Sequence, residues 1–403
     1  MNRCTVYELK RFLMSKRALI LLGLIMLVVL VVIGWMHYQE KNFLSNRVAQ
    51  IDSWVRLSTR QQGNHKRLAD KFEESDPEIA ENHVRLANYY QKDISNLMSL
   101  KYAYTGKPEE LNSSLPMLLE KYYRHLMMGY QSGELDPSTI SIRDLDLDSL
   151  ASNIHFMQYI TGAGIQYEHN PYELNTINAL QTLLTGSILL SVSALTMFLL
   201  LDMLMGEMRS GAFKSLASYG VSRREIIIGK VLASIIVMVI SILLAVAIIS
   251  MISFLFGGFG SPDYPLASRA NLHMLSLDSE KYDIIYISKL EWIGRSFLGV
   301  IFPSITLLGC ALFLAICCNS SRTSIHTMGI LILVTYMYNV LLTMESLIQL
   351  VFPLSYFYQE LVIGAHSWSN YYLGIMINVV ISIALLIWGV RIYERKDLVK
   401  AYE

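Results

Sequence analysis

LDMLMGEMRSGAFKSLASYGVSRREIIIGK, residues 201–230, separates two long apolar segments and holds the densest charge in the second half of the chain. Its middle, Arg209 to Tyr219, has helical periodicity. Ala212, Phe213, Leu216 and Ala217 share one face, while Arg209, Lys214, Ser215 and Ser218 share the other. Gly220 stops that helix. Ser222 is placed to cap a second one with Glu225 three residues on, a pairing that satisfies amides the first turn leaves without partners. The second helix then runs without a break into Val231 and an apolar run. The pattern predicts a short amphipathic helix at a membrane surface, joined by an elbow to a spanning helix.

The rest of the chain fits a membrane setting. Charged residues make up only 16% of it and cancel to a formal net charge of zero, which argues against nucleic-acid binding. Apolar residues collect in runs close to the roughly 20 residues that a spanning helix needs. These runs are Ala18–Met36, Ala179–Leu201, Val231–Phe256, Phe297–Cys317, Thr327–Met344 and Tyr371–Val390. The fold class is therefore an all-α polytopic membrane protein with six transmembrane helices. No small-residue cleavage site follows the first run, so it is read as a retained span. The basic residues Arg3, Lys10, Arg11, Lys16 and Arg17, the 209–230 loop, Arg322 and the tail all fall on one side. That side, with both termini, is expected to be cytoplasmic.

Residues 1–17 read as a cytoplasmic amphipathic in-plane helix, with Val6, Leu9, Phe12 and Leu13 on its apolar face and Glu8, Lys10 and Arg11 elsewhere. Residues 18–36 are the first span, and 37–176 form a polar extracellular domain of helices with breaks at Gly63, Asp76-Pro77, Gly106-Lys107-Pro108, Gly133 and Asp136-Pro137. Tyrosines abound there, either packed within the bundle or forming a binding surface. Residues 177–403 carry five further spans. They include the cytoplasmic loop 202–230, an outer loop 257–294, an outer re-entrant or interfacial segment 345–369 and a cytoplasmic tail 391–403. Cys4, Cys310, Cys317 and Cys318 all sit in or beside membrane segments, so no disulfide framework holds the exterior.

Catalytic motifs are missing. Gly229-Lys230 lacks the upstream glycine spacing of a phosphate-binding loop, and no zinc-protease, serine-hydrolase or paired-cysteine motif occurs. Asp144, Asp146 and Asp148 alternate without the glycine and closing glutamate of a calcium loop. The spans also carry no Asp, Glu, Lys, Arg or His in their central portions, where ion-coupled carriers place one. The energy for any transport must then enter from outside the spans, which directs attention back to the cytoplasmic loop.

The stretch Glu207-(x)3-Gly211-(x)2-Lys214-x-Leu216-(x)5-Ser222-Arg223-(x)5-Gly229-Lys230 resembles the signature loop of ABC transporter permeases of the ABC-2, or type-2 exporter, class. The tail Tyr393-Glu394-Arg395-Lys396-Asp397 is similar to the aromatic-x-Arg-x-Asp ending of that class. A large domain after the first span resembles its bacterial sodium- and peptide-export branch. Gly220-Val221 departs from the proline often found at the elbow. The resemblance implies a non-catalytic permease subunit that exports a substrate using a separate cytoplasmic ATPase in two copies. ATP and magnesium would be held by that partner and no cofactor by this chain. It further implies pairing with a second permease copy, as homodimer or heterodimer, in a bacterial plasma membrane. Glu207, Arg209, Gly211, Ala212, Phe213, Lys214, Leu216 and Arg223 would form the coupling surface. Phe213 would be its apolar anchor, and Glu207 and Arg223 would brace the loop.

Weakly polar residues in the spans supply candidates for a substrate path: Thr182, Thr185 and Ser191 in the second, and Thr335, Tyr336, Tyr338 and Asn339 in the fifth. Small polar groups also serve helix packing. A neutral, partly apolar lining suits an amphipathic peptide or a lipid-like molecule better than a bare ion. Two other classes share features of this sequence. In one, ATP-driven movement of the spans works the extracellular domain and nothing crosses the membrane. In the other, a sensor or immunity protein sequesters a peptide without any ATPase.

Overall fold

The computed structural model describes residues 3–106, 108–135, 143, 147–185, 188–210, 222–269, 284–317, 321–341, 352–359, 363 and 371–395. The chain divides into two compact units, Met1–Trp35 with Leu174–Glu403, and Met36–Glu173. Eleven α-helices are found among the described residues: α1 (Arg3–Leu13), α2 (Lys16–Phe72), α3 (Pro77–Thr105), α4 (Pro108–Gln131), α5 (Leu147–Ala163), α6 (Thr176–Leu184), α7 (Ile188–Ser210), α8 (Arg223–Gly257), α9 (Lys289–Cys317), α10 (Ser321–Leu341) and α11 (Tyr371–Arg395). A 3-10 helix covers Pro353–Phe357. An antiparallel hairpin pairs β1 (Pro265–Arg269) with β2 (Ile284–Ser288), with Ala267 opposite Tyr286. The chain is an all-α polytopic membrane protein with this one short hairpin added.

Five described helices are long and apolar enough to cross a membrane: α2, the Ile188–Gly206 part of α7, and α8, α9 and α11. The apolar stretch of α10, Thr323–Met337, is shorter. The second apolar run differs from its expected course. It is two helices rather than one span over Ala179–Leu201, because α6 ends at Thr185, whose backbone is extended. The Thr185 hydroxyl bonds back to the Thr182 carbonyl, a local alternative to helix continuation. Asn175 caps α6 by accepting from the Asn178 amide, and the amides of Thr176 and Ile177 donate to Gly258 and Phe259 beyond α8. A side chain on Gly257 would run into the Leu174 carbonyl, so this junction needs glycine.

In the membrane unit α9 and α11 pack together through a buried polar cluster. Thr306 donates to Asn378 Oδ1 at 2.8 Å and lies 2.9 Å from the Ser382 hydroxyl, while Asn378 Nδ2 reaches the Pro353 carbonyl at 3.1 Å. These contacts seat the 3-10 segment inside the unit, with Leu354, Tyr356 and Phe357 buried. Ser193 of α7 and Ser304 of α9 pair at 2.8 Å. Small hydroxyls thus satisfy one another where no water is at hand.

In the second unit, α2 runs straight through Gly63, where a break was expected. A single glycine costs a helix only about 1 kcal/mol, and flanking residues with good helix propensity carry it. Asp76 caps α3 just before Pro77, which occupies the first turn where its missing amide is harmless. The tyrosines resolve mostly into core. Tyr89, Tyr90, Tyr104, Tyr122 and Tyr123 are buried with Trp54, Leu97, Leu100 and Leu126, whereas Tyr102 is exposed. At the centre Arg143 is fully buried, donating to Asp93 Oδ2 at 2.7 Å, to Ser58 Oγ at 3.0 Å and to Tyr122 Oη at 2.6 Å. Burial works against its charge, but Tyr122 and Asp93 outweigh that and raise its pKa further above the ordinary arginine value. Burial likewise pushes the Tyr122 phenol up. A buried guanidinium is tolerable only with partners of this quality.

Candidate functional site

The ends of the loop at 202–230 are well defined, and the geometry around them builds a site. On its far side Ser222 and Glu225 form the expected capping box: the Glu225 amide donates to Ser222 Oγ at 3.2 Å and the Ser222 amide to Glu225 Oε2 at 3.1 Å. This fixes where α8 begins and puts Gly229 and Lys230 on its second turn. Lys230 is 4% exposed, and its Nζ donates to Oε1 of Glu8, on α1, at 2.6 Å. Burying one such charge alone would be prohibitive; burying the pair is feasible because each neutralises the other.

The packing explains why glycine precedes this lysine. A Cβ on Gly229 would lie 2.7 Å from the Cys4 Cβ, so α1 crosses α8 at a point where only a bare backbone fits. Helix α1 therefore presents Thr5, Glu8 and Phe12 to the protein while Val6 and Leu13 stay exposed. Of the expected apolar face, Phe12 is buried against the protein while Val6 and Leu13 are exposed. Glu8, paired with Lys230, lies on the inward side of the helix, and Val6 and Leu13 lie on the outward side. Beneath the pair a small pocket is lined by Glu8, Phe12, Leu200, Leu204, Lys230 and Val237, so α1, α7 and α8 converge there.

The near side of the loop is anchored as well. Arg17, at the start of α2, donates through Nε and Nη2 to Oδ2 of Asp202 on α7, at 3.1 and 2.8 Å. This pair is substantially exposed, so its contribution is small, of the order of 1 kcal/mol at most. The loop's two flanking helices are thus each joined to an element of the first seventeen residues: α7 through Arg17, and α8 through Glu8.

Gly211, Ala212, Phe213, Lys214 and Leu216 lie outside the described residues. Glu207 and Arg209 fall in the last turns of α7 and Arg223 on the first residue of α8, with their side chains outside the description. Sequence reasoning used Glu8, Arg17 and Lys230 only for periodicity, topology and resemblance, and assigned neither them nor Asp202 to the site. A glycine-lysine step at a membrane entry, where an exposed lysine would be ordinary, is the one signal that could have drawn attention to the buried pair.

The path candidates separate in space. Ser191 and Tyr336 both line a cavity of about 450 Å³ between α7 and α10, together with Leu190, Ala194, Phe198 and Leu333. None of the described residues lining it carries a charge. Thr335 is buried on another face and donates to the Leu331 carbonyl of its own helix. Thr182 belongs to α6 and Thr185 caps its C-terminal end, and neither lines this cavity. Tyr338 and Asn339 sit in α10, with side chains outside the description.

Comparison with known proteins gives one family, described as ABC-2 family transporter protein, whose match covers residues 6–398. No curated protein and no solved structure matches the chain.

Proposed function

The chain belongs to the ABC-2 family of transporter proteins and is a membrane-embedded permease component that works with an ABC ATPase; from that premise we propose that it is the six-span subunit of an exporter driven through the loop at 202–230. In this reading α10 is the fifth of six spans, both termini are cytoplasmic, and the membrane is a bacterial plasma membrane. Two ATPase copies serve a pair of permeases. ATP and magnesium stay on the ATPase, and the permease contributes no catalytic group.

The observation that carries the proposal is the buried Glu8–Lys230 pair beside the loop. An ATPase does work on a membrane helix only through a contact that does not yield. The loop surface, with Phe213 as apolar anchor, would receive the movement, and the Glu8–Lys230 pair would make α1 and α8 follow it together. The uncharged α7–α10 cavity with Ser191 and Tyr336 supports an amphipathic or lipid-like cargo over a bare cation, since a cation there would have no charged ligand to replace its water.

Purification of the tagged protein from its native membrane in mild detergent tests the coupling role directly. A soluble ATPase should accompany the wild type and be lost from Phe213→Asp, while the amount of permease in the membrane stays the same. Equal ATPase recovery in both would remove the loop from the interface.

A further inference from the structure

The second unit carries an open groove between α3 and α4 that its core does not explain. On α3 the groove is lined at Lys92, Ser95, Asn96, Ser99, Tyr102 and Gly106, and on α4 at Ser114, Met117, Leu118, Lys121, Arg124 and Met128. Both sets recur at intervals of three and four residues, so each is a single stripe along its helix. The stripes run antiparallel, with Gly106 opposite Ser114 and Lys92 opposite Arg124. Over fourteen residues the groove is about 21 Å long. Leu118 divides it into two shallow halves of about 470 and 520 Å³.

Its exposed lining is unusually rich in methionine. Met98, Tyr102, Met117 and Met128 are 49%, 77%, 59% and 61% exposed, a concentration that a solvated surface would avoid. Unbranched thioether side chains adapt to an irregular apolar partner, which is why they recur where amphipathic helices dock. The two ends differ in charge. The half that ends at Gly106 is lined by Ser95, Ser99 and Ser114 and carries no charge among its described lining, while Lys92, Lys121 and Arg124 gather in the other half with the carboxylate of Glu120, which already accepts from Arg124 and Gln158. The wall at the basic end also holds two buried polar groups without a hydrogen-bond partner among the described residues, Asn96 Nδ2 and His125 Nε2. The nearest carboxylate oxygen to the latter, Asp93 Oδ1, is 3.8 Å away, too far for a bond.

We propose that this groove is a docking site for an amphipathic helical peptide, with its apolar ridge on Met98, Tyr102, Met117 and Met128 and its acidic end against Lys92, Lys121 and Arg124. The length matches about four helical turns. The shallow, open section suits the ridge of a helix better than a small molecule, which needs most of its surface enclosed. The charge at one end selects both the sign and the polarity of the occupant. The inference rests on Met36–Glu173 alone and does not depend on what crosses the membrane.

Two fluorescein-labelled peptides of about 18 residues test it, each with leucine at helical spacing along one face. Glutamates fill the first turn of one, and lysines the same turn of the other. Anisotropy is read against the full chain in phosphatidylcholine nanodiscs, with empty discs subtracted. The acidic peptide should bind and the basic one about tenfold more weakly, and the preference should invert in Lys92→Glu/Lys121→Glu. Met117→Asp, an exposed position, should weaken the acidic peptide by about tenfold with the thermal midpoint unchanged. Binding that ignores both the charge reversal and Met117→Asp would overturn the proposal, as would no signal above empty discs. Oleate binding where neither peptide binds would assign the groove to a lipid instead. Self-association of the wild type that Met117→Asp abolishes, again without peptide binding, would assign it to a second copy of the chain.

Discussion

Two ion pairs at the residue scale join partners remote in the chain, 222 positions apart for Glu8 and Lys230 and 50 for Asp93 and Arg143, and obey one rule. Glu8–Lys230 and Asp93–Arg143 are both withdrawn from water, so each member is tolerable only while the other is present. Lys230→Met should cost about 3–5 kcal/mol of stability by stranding the Glu8 carboxylate. Adding Glu8→Leu should restore most of it, since a well-packed apolar pair removes the stranded charge. Chemical unfolding in detergent reads both variants. A single mutant as stable as wild type would mean that the pair contributes nothing to holding α1 against α8. Neither pair was legible beforehand, because charge and spacing along the chain do not say which distant residue a buried group meets.

At the element scale, starts and stops were the most legible features. The capping box at Ser222 and Glu225 and the Asp76-Pro77 start are local events, decided by a side chain and an amide within one turn. The helix through Gly63 and the interruption after Leu184 were misjudged, since both depend on what packs nearby more than on local propensity. Glycine substitutions separate these two influences. A methyl group on Gly374 of α11 would run into the Tyr356 ring of the 3-10 segment, whereas Gly294 of α9 faces open space. Gly374→Ala should therefore destabilise by about 1–3 kcal/mol through overpacking. Gly294→Ala should be neutral or stabilising by up to about 1 kcal/mol through helix propensity. Thermal unfolding of the two variants side by side checks the sign of each, and equal shifts would show that the Tyr356 contact is easily relieved.

At the scale of the whole molecule, Met36–Glu173 has its own aromatic and aliphatic core, and a fragment of that range should unfold cooperatively on its own. Its stability should fall with acidity. Burial lowers the pKa of His125 against the opposing pull of Asp93, and burial and then His83 lower that of His65. A histidine with a lowered folded-state pKa takes up its proton more readily once unfolded. Its contribution is thus complete above about pH 6.5 and declines as the pH drops below that value. The fragment's thermal midpoint should drop between pH 7 and pH 5, and His125→Gln should flatten the slope; a midpoint that holds steady over that range would count against both assignments. By itself the sequence determined the membrane class and helix starts such as those at Asp76-Pro77 and Ser222, because hydropathy, periodicity and capping act within about twenty residues. Only the tertiary structure decided that Glu8 meets Lys230, that Arg143 closes the core of the second unit, and that α3 and α4 leave a methionine-lined groove between them. Helical periodicity sets which residues share a face, but which faces meet is settled by packing between segments that are remote along the chain.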